Sequence, residues 1–219
     1  YDISKKNLNL GLNLYEFLAN IGCKRVMTVG SCWEYGLVTG RLTEDMAILP
    51  MNAFTAAKNS LNYLGSQLTN EAEMQFVWGR IFFAYGEGQR SISLLPRLIA
   101  YAKGGETPTI KDPETKLDFI YVEDVAEADI HLVESENANG TYNIGSGRLI
   151  SVGKIVRLVG NTVGMPQKFL KLIPKGNKVI ASAHSGYYAN ISRIKEEIGW
   201  KPETNIVDGI KKTIDHFKT

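Results

Sequence analysis

The spacing of apolar residues in the first part of the chain predicts a helix followed by a buried strand. Residues 5–20 carry apolar side chains at helical intervals, and those that share one face are Leu10, Leu14, Phe17 and Leu18. Gly22 then predicts the end of this helix. The segment RVMTVG at 25–30 is a nearly continuous apolar run of strand length, which is typical of a strand buried on both faces of a parallel sheet.

The same order of elements is repeated in the next part of the chain. Residues 54–72 predict a second helix, and the apolar run 74–84 predicts a second buried strand. Buried strands that alternate with helices are joined by crossover connections. We therefore predict an α/β fold with a parallel sheet.

Beyond Gly88 the predicted elements are shorter and their order is less regular. We expect two short strands around the turn at Asp112 and Pro113, and a strand near 168–173. A further strand leads into the glycine turn at 145–147. The segments expected to be helical are 92–103, 123–136, 151–163, 192–198 and 206–217.

Composition and charge narrow the class of protein. Hydrophobic residues make up 44% of the chain and charged residues 22%, which is ordinary for a globular protein. A net charge of +2 argues against a nucleic-acid partner. No apolar run approaches the roughly 20 residues that a membrane span needs. Two cysteines without metal or disulfide spacing predict a cytoplasmic protein without a metal site.

Seven segments together resemble the motifs of one family. They are NLNLGLNLYE at 7–16, VMTVGSCWEYG at 26–36, PMNAFTAAK at 50–58, RIFFAYGEGQR at 80–90, DFIYVEDVA at 118–126, YNIGSG at 142–147 and IGWKP at 198–202. Each motif alone is weak, but their occurrence in order across almost the whole chain is specific. The chain resembles the NAD(P)-dependent epimerase/dehydratase family, the extended short-chain dehydrogenases that act on nucleotide sugars.

This resemblance implies a fold and a division into two parts. The fold class is α/β, with the C-terminal part of a Rossmann-type doubly wound parallel sheet and a small substrate-binding lobe. The sheet part is expected over 1–86 with 118–146, and the lobe over 87–117 with 147–219. The family's G-x-x-G-x-x-G fingerprint is missing from the sequence, and the chain begins without Met in helix-like sequence. We therefore expect an N-terminally truncated piece of a protein that is a homodimer in its full-length form.

The resemblance also assigns a catalytic centre. In the family, a tyrosine moves the proton of the sugar oxygen, a lysine one helical turn later holds the nicotinamide ribose, and a serine or threonine binds the same oxygen. These positions are Phe54, Lys58 and Ser31 here, and Asn7 matches the asparagine that supports the lysine through water. Ser31, Lys58 and Asn7 are thereby the expected contacts of an NAD or NADP cofactor. Residues four apart share a helix face, so 54 and 58 point into one cleft.

Phe54 departs from the family's motif in a way that bears on activity, because a phenyl ring has no ionisable proton. Three explanations stay open: an engineered change, a natural variant in which Tyr35 or another group moves the proton, and a protein that has lost catalysis. The implied function is a nucleotide-sugar epimerase, dehydratase or 4-keto reductase, hence an oxidoreductase or isomerase. We expect the chain as given to be inactive. The alternative is a non-catalytic remnant or binding protein.

The expected substrate contacts also depart from the family. Phe83 and Leu117 stand where many members hold the nucleotide diphosphate with Asn and Arg. A diphosphate needs cationic or N–H partners, so Arg90 and Arg97 are expected to substitute. Further cations available for this role are Arg148, Lys168 and Lys171. Trp33, in the loop that meets the substrate together with Glu34, is a candidate for stacking on a sugar or base. The G-S-C-W-E-Y-G turn resembles members that act on deoxysugar nucleotides.

Overall fold

A parallel sheet of three strands forms the centre of the fold, which a computed structural model describes for residues 2–174 and 186–217. β1 (Arg25–Ser31) pairs with β3 (Gln75–Ile81), and β3 pairs with β7 (Gly140–Ile144), all in parallel. Among the described strands, β1 has β3 as its only neighbour, so the other edge of β1 is open. The predicted α/β fold with a parallel sheet is confirmed, and β3 is buried as predicted. The prediction that β1 is buried on both faces is wrong, since only Val26 and Gly30 of β1 are buried and Val29 is 39% exposed.

Two helices cover one face of this sheet. They are α1 (Asp2–Asn20) and α2 (Ala53–Glu71), and both agree with the predicted helices to within three residues. The helices lie close together because Gly65 has no side chain; a Cβ there would overlap the ring of Tyr15. Tyr15 is buried against Phe76, and its hydroxyl donates to Oγ1 of Thr28 at 2.8 Å. Glycine in α2 therefore fixes how tightly α1 packs on the sheet.

Shorter helices cover the other face and its edge. α4 (Val122–Glu134) packs Val125, Ala128 and Leu132 against the sheet. α7 (Ser192–Ile198) lies beside β7 and contributes Ile194 to the same core. As predicted, acidic residues open α4, where they suit the positive end of the helix dipole.

A second group of elements packs around two further apolar cores. The strands of its small sheet, in spatial order, are β2 (Gly40–Leu42), β9 (Tyr187–Ala189), β5 (Lys116–Leu117) and β8 (Ile150–Ser151). β4 (Phe83–Tyr85) pairs with β6 (Phe119–Tyr121). The helices are α3 (Leu94–Ala102), α5 (Val152–Thr162), α6 (Pro166–Leu170) and α8 (Ile206–His216). Ser151 caps α5 by accepting from the N–H of Lys154, as predicted.

Two predicted strands are wrong. The segment near 168–173 is not a strand, because Pro166 begins α6 with its φ already helical and Phe169 packs against Gly160. Before the turn at Asp112 no strand forms either; Ile110 is buried in the core as part of a loop. Apolar alternation over so few residues did not distinguish a strand from other buried segments.

The proposed division of the chain into two parts stays a prediction. β2 comes from the range assigned to the Rossmann part but pairs with β9 from the range assigned to the lobe. Residues 175–185 of the predicted lobe lie outside the described residues. Within the described ranges, no helix has the length and apolar character to cross a bilayer.

Candidate active site

Ser31 ends β1 and begins a 3-10 turn over Cys32–Tyr35. Its Oγ accepts from the N–H of Trp33 at 3.3 Å, while Oε1 of Glu34 accepts from the N–H of Ser31 at 2.7 Å. This reciprocal pair is a capping box, which the Ser-x-x-Glu spacing encodes. The turn therefore fixes Ser31 at the carboxyl end of the strand.

Glu34 lies fully buried beneath Ser31 instead of in the substrate loop where the sequence placed it. Its Oε2 accepts from Nε of Arg80 at 3.0 Å and from Nε1 of Trp78 at 3.1 Å. Gly30 makes room for this arrangement, because a Cβ there would overlap both the Trp78 indole and the Glu34 carboxylate. The carboxylate is thus paired and supports the turn from below.

Tyr35 is part of the same buried support. Its ring lies 4.6 Å from the Arg80 guanidinium, and its hydroxyl donates to Oδ1 of Asn143 at 2.7 Å. Burial raises the pKa of Tyr35. A fully buried phenol whose proton is held by Asn143 is placed for structure.

The start of α2 fixes the position of Phe54. Asn52 caps the helix, with Oδ1 accepting from the N–H of Thr55 at 3.0 Å, and Oγ1 of Thr55 accepts from the N–H of Asn52 at 3.2 Å. Phe54 lies in this capped first turn, and its side chain is 46% exposed. The phenyl ring is therefore about half exposed, one helical turn before Lys58.

Lys58 reaches back from α2 to β1. Its Nζ donates to the carbonyl oxygen of Val29 at 2.6 Å and lies 5.9 Å from the centroid of the Trp78 ring. Desolvation lowers the pKa of Lys58, and the nearby charge of Glu34 opposes this effect. Because Val29 is two residues before Ser31, the structure brings Lys58 and Ser31 to the same end of β1.

Asn7 is not brought to this centre by any direct contact. It lies in α1 with an exposed side chain, and none of the hydrogen bonds of residues 2–174 and 186–217 joins it to Lys58. The water-mediated role that the resemblance implies for Asn7 stays a prediction.

An open pocket of about 900 Å³ lies beside the Ser31 turn. All four of the predicted substrate contacts line it: Trp33, Phe83, Arg90 and Arg97. Leu117 lines it as well, whereas Arg148, Lys168 and Lys171 do not. Lys168 instead donates to the carbonyl oxygen of Tyr101 at 2.9 Å. The pocket therefore joins Trp33, two residues from Ser31, to the two arginines expected at a diphosphate.

Cys32, next to Ser31, is a buried structural residue. Its Sγ lies 3.9 Å from the hydroxyl of Tyr187, and burial raises the pKa of the thiol to about 12. A thiol with such a pKa holds its proton at neutral pH and is a poor nucleophile. The described part of the chain contains no cluster of side chains able to hold a metal ion.

The motif at 118–126 assigned no role to Asp118, which is fully buried. Its carboxylate accepts from the N–H groups of Ser146 at 2.7 Å, Gly147 at 3.0 Å and Ala189 at 3.0 Å, and burial raises its pKa. Asp118 thereby joins the loop after β7 to β9. An acidic residue inside the apolar run 117–122 was the available signal.

The residues at this site fit one end of a dinucleotide. The Lys58 ammonium and Ser31 hydroxyl, at the open edge of β1, suit the ribose and nicotinamide. The Gly-rich turn that would bind the pyrophosphate is not in this sequence. The rest of such a cofactor would need residues from outside this chain.

Comparison with known proteins gives related enzymes. The profile of the NAD dependent epimerase/dehydratase family matches residues 1–145. The chain is 27% identical over 212 residues to dTDP-4-dehydro-6-deoxyglucose reductase of Escherichia coli, covering 94% of this chain and 64% of that protein. It is 25% identical to UDP-glucuronate 4-epimerase of Thermodesulfobacterium geofontis over 219 residues, covering 97% of this chain and 65% of that protein.

A solved structure shows the same fold. MoeE5 in complex with UDP-glucose and NAD superposes with a TM-score of 0.83 at 23% identity, covering 95% of this chain and 69% of that one. The chain spans less than two thirds of the length of the Escherichia coli reductase and of the Thermodesulfobacterium geofontis epimerase.

Proposed function

Because the chain belongs to the NAD-dependent epimerase/dehydratase family, we propose that its full-length form is an NAD-dependent enzyme that acts on a nucleotide sugar. The reaction is an epimerisation, a 4,6-dehydration or a 4-keto reduction, and the curated relatives include an epimerase and a reductase. The two free thiols favour the cytoplasm as its location.

One observation carries this proposal. Lys58 bonds to the carbonyl oxygen of Val29, two residues before Ser31 at the carboxyl end of β1, and Trp33 of the Ser31 turn lines a pocket together with the two arginines. Ligands of open α/β sheets bind outside the carboxyl ends of the strands, which is where this pocket lies. Arg90 and Arg97 supply the cations that a diphosphate needs.

NAD is the proposed cofactor, since the family is NAD-dependent and MoeE5 was solved with NAD. When bound, it supplies a hydride acceptor and donor for the sugar carbon. In this chain Lys58 would bind the ribose hydroxyls and Ser31 would hold the sugar oxygen. Phe54 would pack against the sugar or nicotinamide without exchanging a proton.

A second candidate function is a nucleotide-sugar-binding protein without turnover. The half-exposed phenyl ring of Phe54 favours it, because no ionisable group occupies that position. Tyr35 does not replace the missing phenol, since its hydroxyl is buried and bonded to Asn143. In this case Arg90, Arg97 and Trp33 would still bind the nucleotide sugar.

We further propose that the full-length form is a homodimer through the outer face of α1. This face, continued by Ile21 directly after the helix, exposes apolar side chains at intervals of three, four and seven residues. Each of them is at least half exposed: Ile3, Leu10, Leu14, Phe17 and Ile21. The opposite face of α1 already packs on the sheet through Leu8, Leu12 and Tyr15. Apolar seams with this spacing are typical of helix pairing between two chains.

Calorimetric titration tests the proposed function. UDP-glucose and NAD are each titrated into the 219-residue chain and into the full-length form. We expect UDP-glucose to bind both proteins, and NAD to bind the full-length form much more tightly than the chain. If neither protein binds either ligand, the proposed function is wrong. If the ligands do bind, an assay of sugar turnover distinguishes an enzyme from a binding protein without turnover.

A further inference from the structure

Trp78 is a fully buried tryptophan in the middle of β3, and its indole has one fixed orientation. The indole N–H lies 3.2 and 3.1 Å from the two carboxylate oxygens of Glu34, so it donates to this carboxylate. The Phe76 ring stacks on the indole with the ring centroids 6.1 Å apart. Because a Cβ at Gly30 would overlap the indole, only glycine leaves room for this orientation.

The ammonium group of Lys58 lies between the backbone of β1 and this indole. Its Nζ donates to the carbonyl oxygen of Val29 at 2.6 Å and lies 5.9 Å from the centroid of the Trp78 ring. A cation within about 6 Å of an indole centroid is attracted by the ring, and the attraction grows as the cation is desolvated. The Val29 carbonyl and the indole together therefore fix the position of the ammonium group.

The Glu34 carboxylate acts on both groups that are assigned to the cofactor. Its Oε1 accepts directly from the N–H of Ser31 at 2.7 Å. It reaches Lys58 through the indole that it orients. Burial lowers the pKa of Lys58, and the charge of Glu34 opposes this effect. The ion pair with Arg80 at 3.0 Å offsets the cost of burying the carboxylate, so the charge can lie this close to Lys58.

We propose that Trp78 is a positioning residue for the cofactor: its indole, fixed by Glu34, holds the Lys58 ammonium group where it meets the nicotinamide ribose. This proposal rests on the proposed function, because that function assigns the ribose to Lys58. Trp78 does not itself reach a ligand, since its side chain is fully buried. It acts through Lys58, and Glu34 acts through Trp78.

The titration of Lys58 in the 219-residue chain tests this positioning without any ligand. Lysine labelled with carbon-13 at Cε is followed by NMR as the pH is raised, and the Lys58 signal is the one that Lys58→Met removes. Trp78→Phe keeps an aromatic ring but removes the N–H that fixes it, and Glu34→Gln removes the charge. We expect Lys58 to lose its proton at a lower pH in both variants than in the parent. An unchanged titration of Lys58 in Trp78→Phe overturns the proposal.

Trp200 provides the matched control. It is a second buried tryptophan, in the core beneath α4, and its Nε1 is buried without a hydrogen-bond partner among the described residues. Trp200→Phe therefore makes the same chemical change at another place, and it should leave the titration of Lys58 unchanged. An equal shift in Trp200→Phe and Trp78→Phe overturns the proposal, because the cause would then be a general loosening of the fold.

A double-variant cycle on the full-length form tests whether the effect reaches the cofactor. Trp78→Phe should raise the Kd for NAD by about 2–30-fold, the range that the contact between the ammonium group and the indole allows. In the Lys58→Met background the same change should alter the Kd by less than about 2-fold, because the residue through which Trp78 acts is gone. Equal factors in the two backgrounds overturn the proposal. If NAD binds none of these proteins, the proposed function is wrong, and the titration of Lys58 alone decides the positioning.

Discussion

The ammonium group of Lys58 lies 2.6 Å from the carbonyl oxygen of Val29, so a side chain of α2 is bonded to the backbone of β1. This hydrogen bond holds the half-buried Lys58 ammonium at Val29, which is two residues before Ser31. Burial lowers the pKa of Lys58 because its ammonium group is poorly solvated. A ligand that accepts a hydrogen bond from Lys58 therefore displaces little water.

Replacing Lys58 should therefore weaken dinucleotide binding by the full-length form. Lys58→Met removes a charged hydrogen-bond donor worth about 1.5–3 kcal/mol, so the Kd for NAD should rise by about 10–100-fold. Lys24→Met, at an exposed lysine just before β1, is the control and should leave the Kd unchanged. Equal Kd values for Lys58→Met and the parent would show that Lys58 does not contact the cofactor.

The buried ion pair between Glu34 and Arg80 should be sensitive to loss of one partner. Arg80→Met leaves the Glu34 carboxylate without its cation and should lower the free energy of unfolding by about 3–5 kcal/mol. Restoring neutrality in the double variant Glu34→Gln, Arg80→Met should recover part of this loss. Urea unfolding followed by circular dichroism measures the free energy of unfolding of the single and the double variant.

An exposed ion pair provides the control for this experiment. Lys212 and Glu123 lie 2.9 Å apart with both side chains about half exposed. Lys212→Met should change the free energy of unfolding by less than about 1 kcal/mol. A similar effect of the two single variants would mean that Glu34 is not buried as the structure shows.

Several elements were predictable because their signals are local. The helix at α2 and the strand β1 followed from periodicity and from an apolar run, and Ser31 and Lys58 followed from a motif of fixed spacing. The buried network under Ser31 was not predictable, since Glu34 and Arg80 are 46 residues apart and meet only in the folded chain. Phe83 and Leu117 gave departures from a motif, but only the fold shows that both line the same pocket.

Asp129 should make stability depend on pH. It lies on the sheet side of α4 near Gly79, with Oδ1 buried and without a partner among the described residues, and burial raises its pKa to about 6. The folded state then binds more protons than the unfolded state between about pH 4 and pH 6, so stability falls as the pH rises through this window. Above about pH 6 the Asp129 carboxyl is ionised in the folded state as well, and the full cost of burying its charge lowers the free energy of unfolding.

Asp129→Asn removes this penalty. The variant should be more stable than the parent by about 1–2 kcal/mol at neutral pH, and the difference should vanish below about pH 4. Urea unfolding at neutral pH and below about pH 4 measures the difference in free energy of unfolding between the variant and the parent. Glu127→Gln, at an exposed position of the same helix, should show no such difference. A stabilisation that is independent of pH would show that the Asp129 carboxylate is not its source.

The apolar outer face of α1 predicts the oligomeric state of the full-length form. Leu14→Glu places a charge in the middle of the seam, and sedimentation equilibrium should then show a monomer where the parent is a dimer. Ile92→Glu, at a side chain that is 74% exposed outside α1, should leave the dimer intact. A monomeric parent, or a dimer that persists in Leu14→Glu, would contradict the proposed interface.

A change at Phe54 in the full-length form tests directly whether this residue stands at the proton-carrying position. Ser31 and Lys58 are held at the carboxyl end of β1, and under the proposed function only the proton carrier is missing there. Turnover of a nucleotide sugar by Phe54→Tyr should therefore exceed that of the parent by about 10²–10⁴-fold, followed as conversion of the nucleotide sugar to product by chromatography. Phe54→Leu should show no gain. Equal turnover of Phe54→Tyr and the parent, in a protein that binds both ligands, would contradict the assignment of Phe54 to the proton-carrying position.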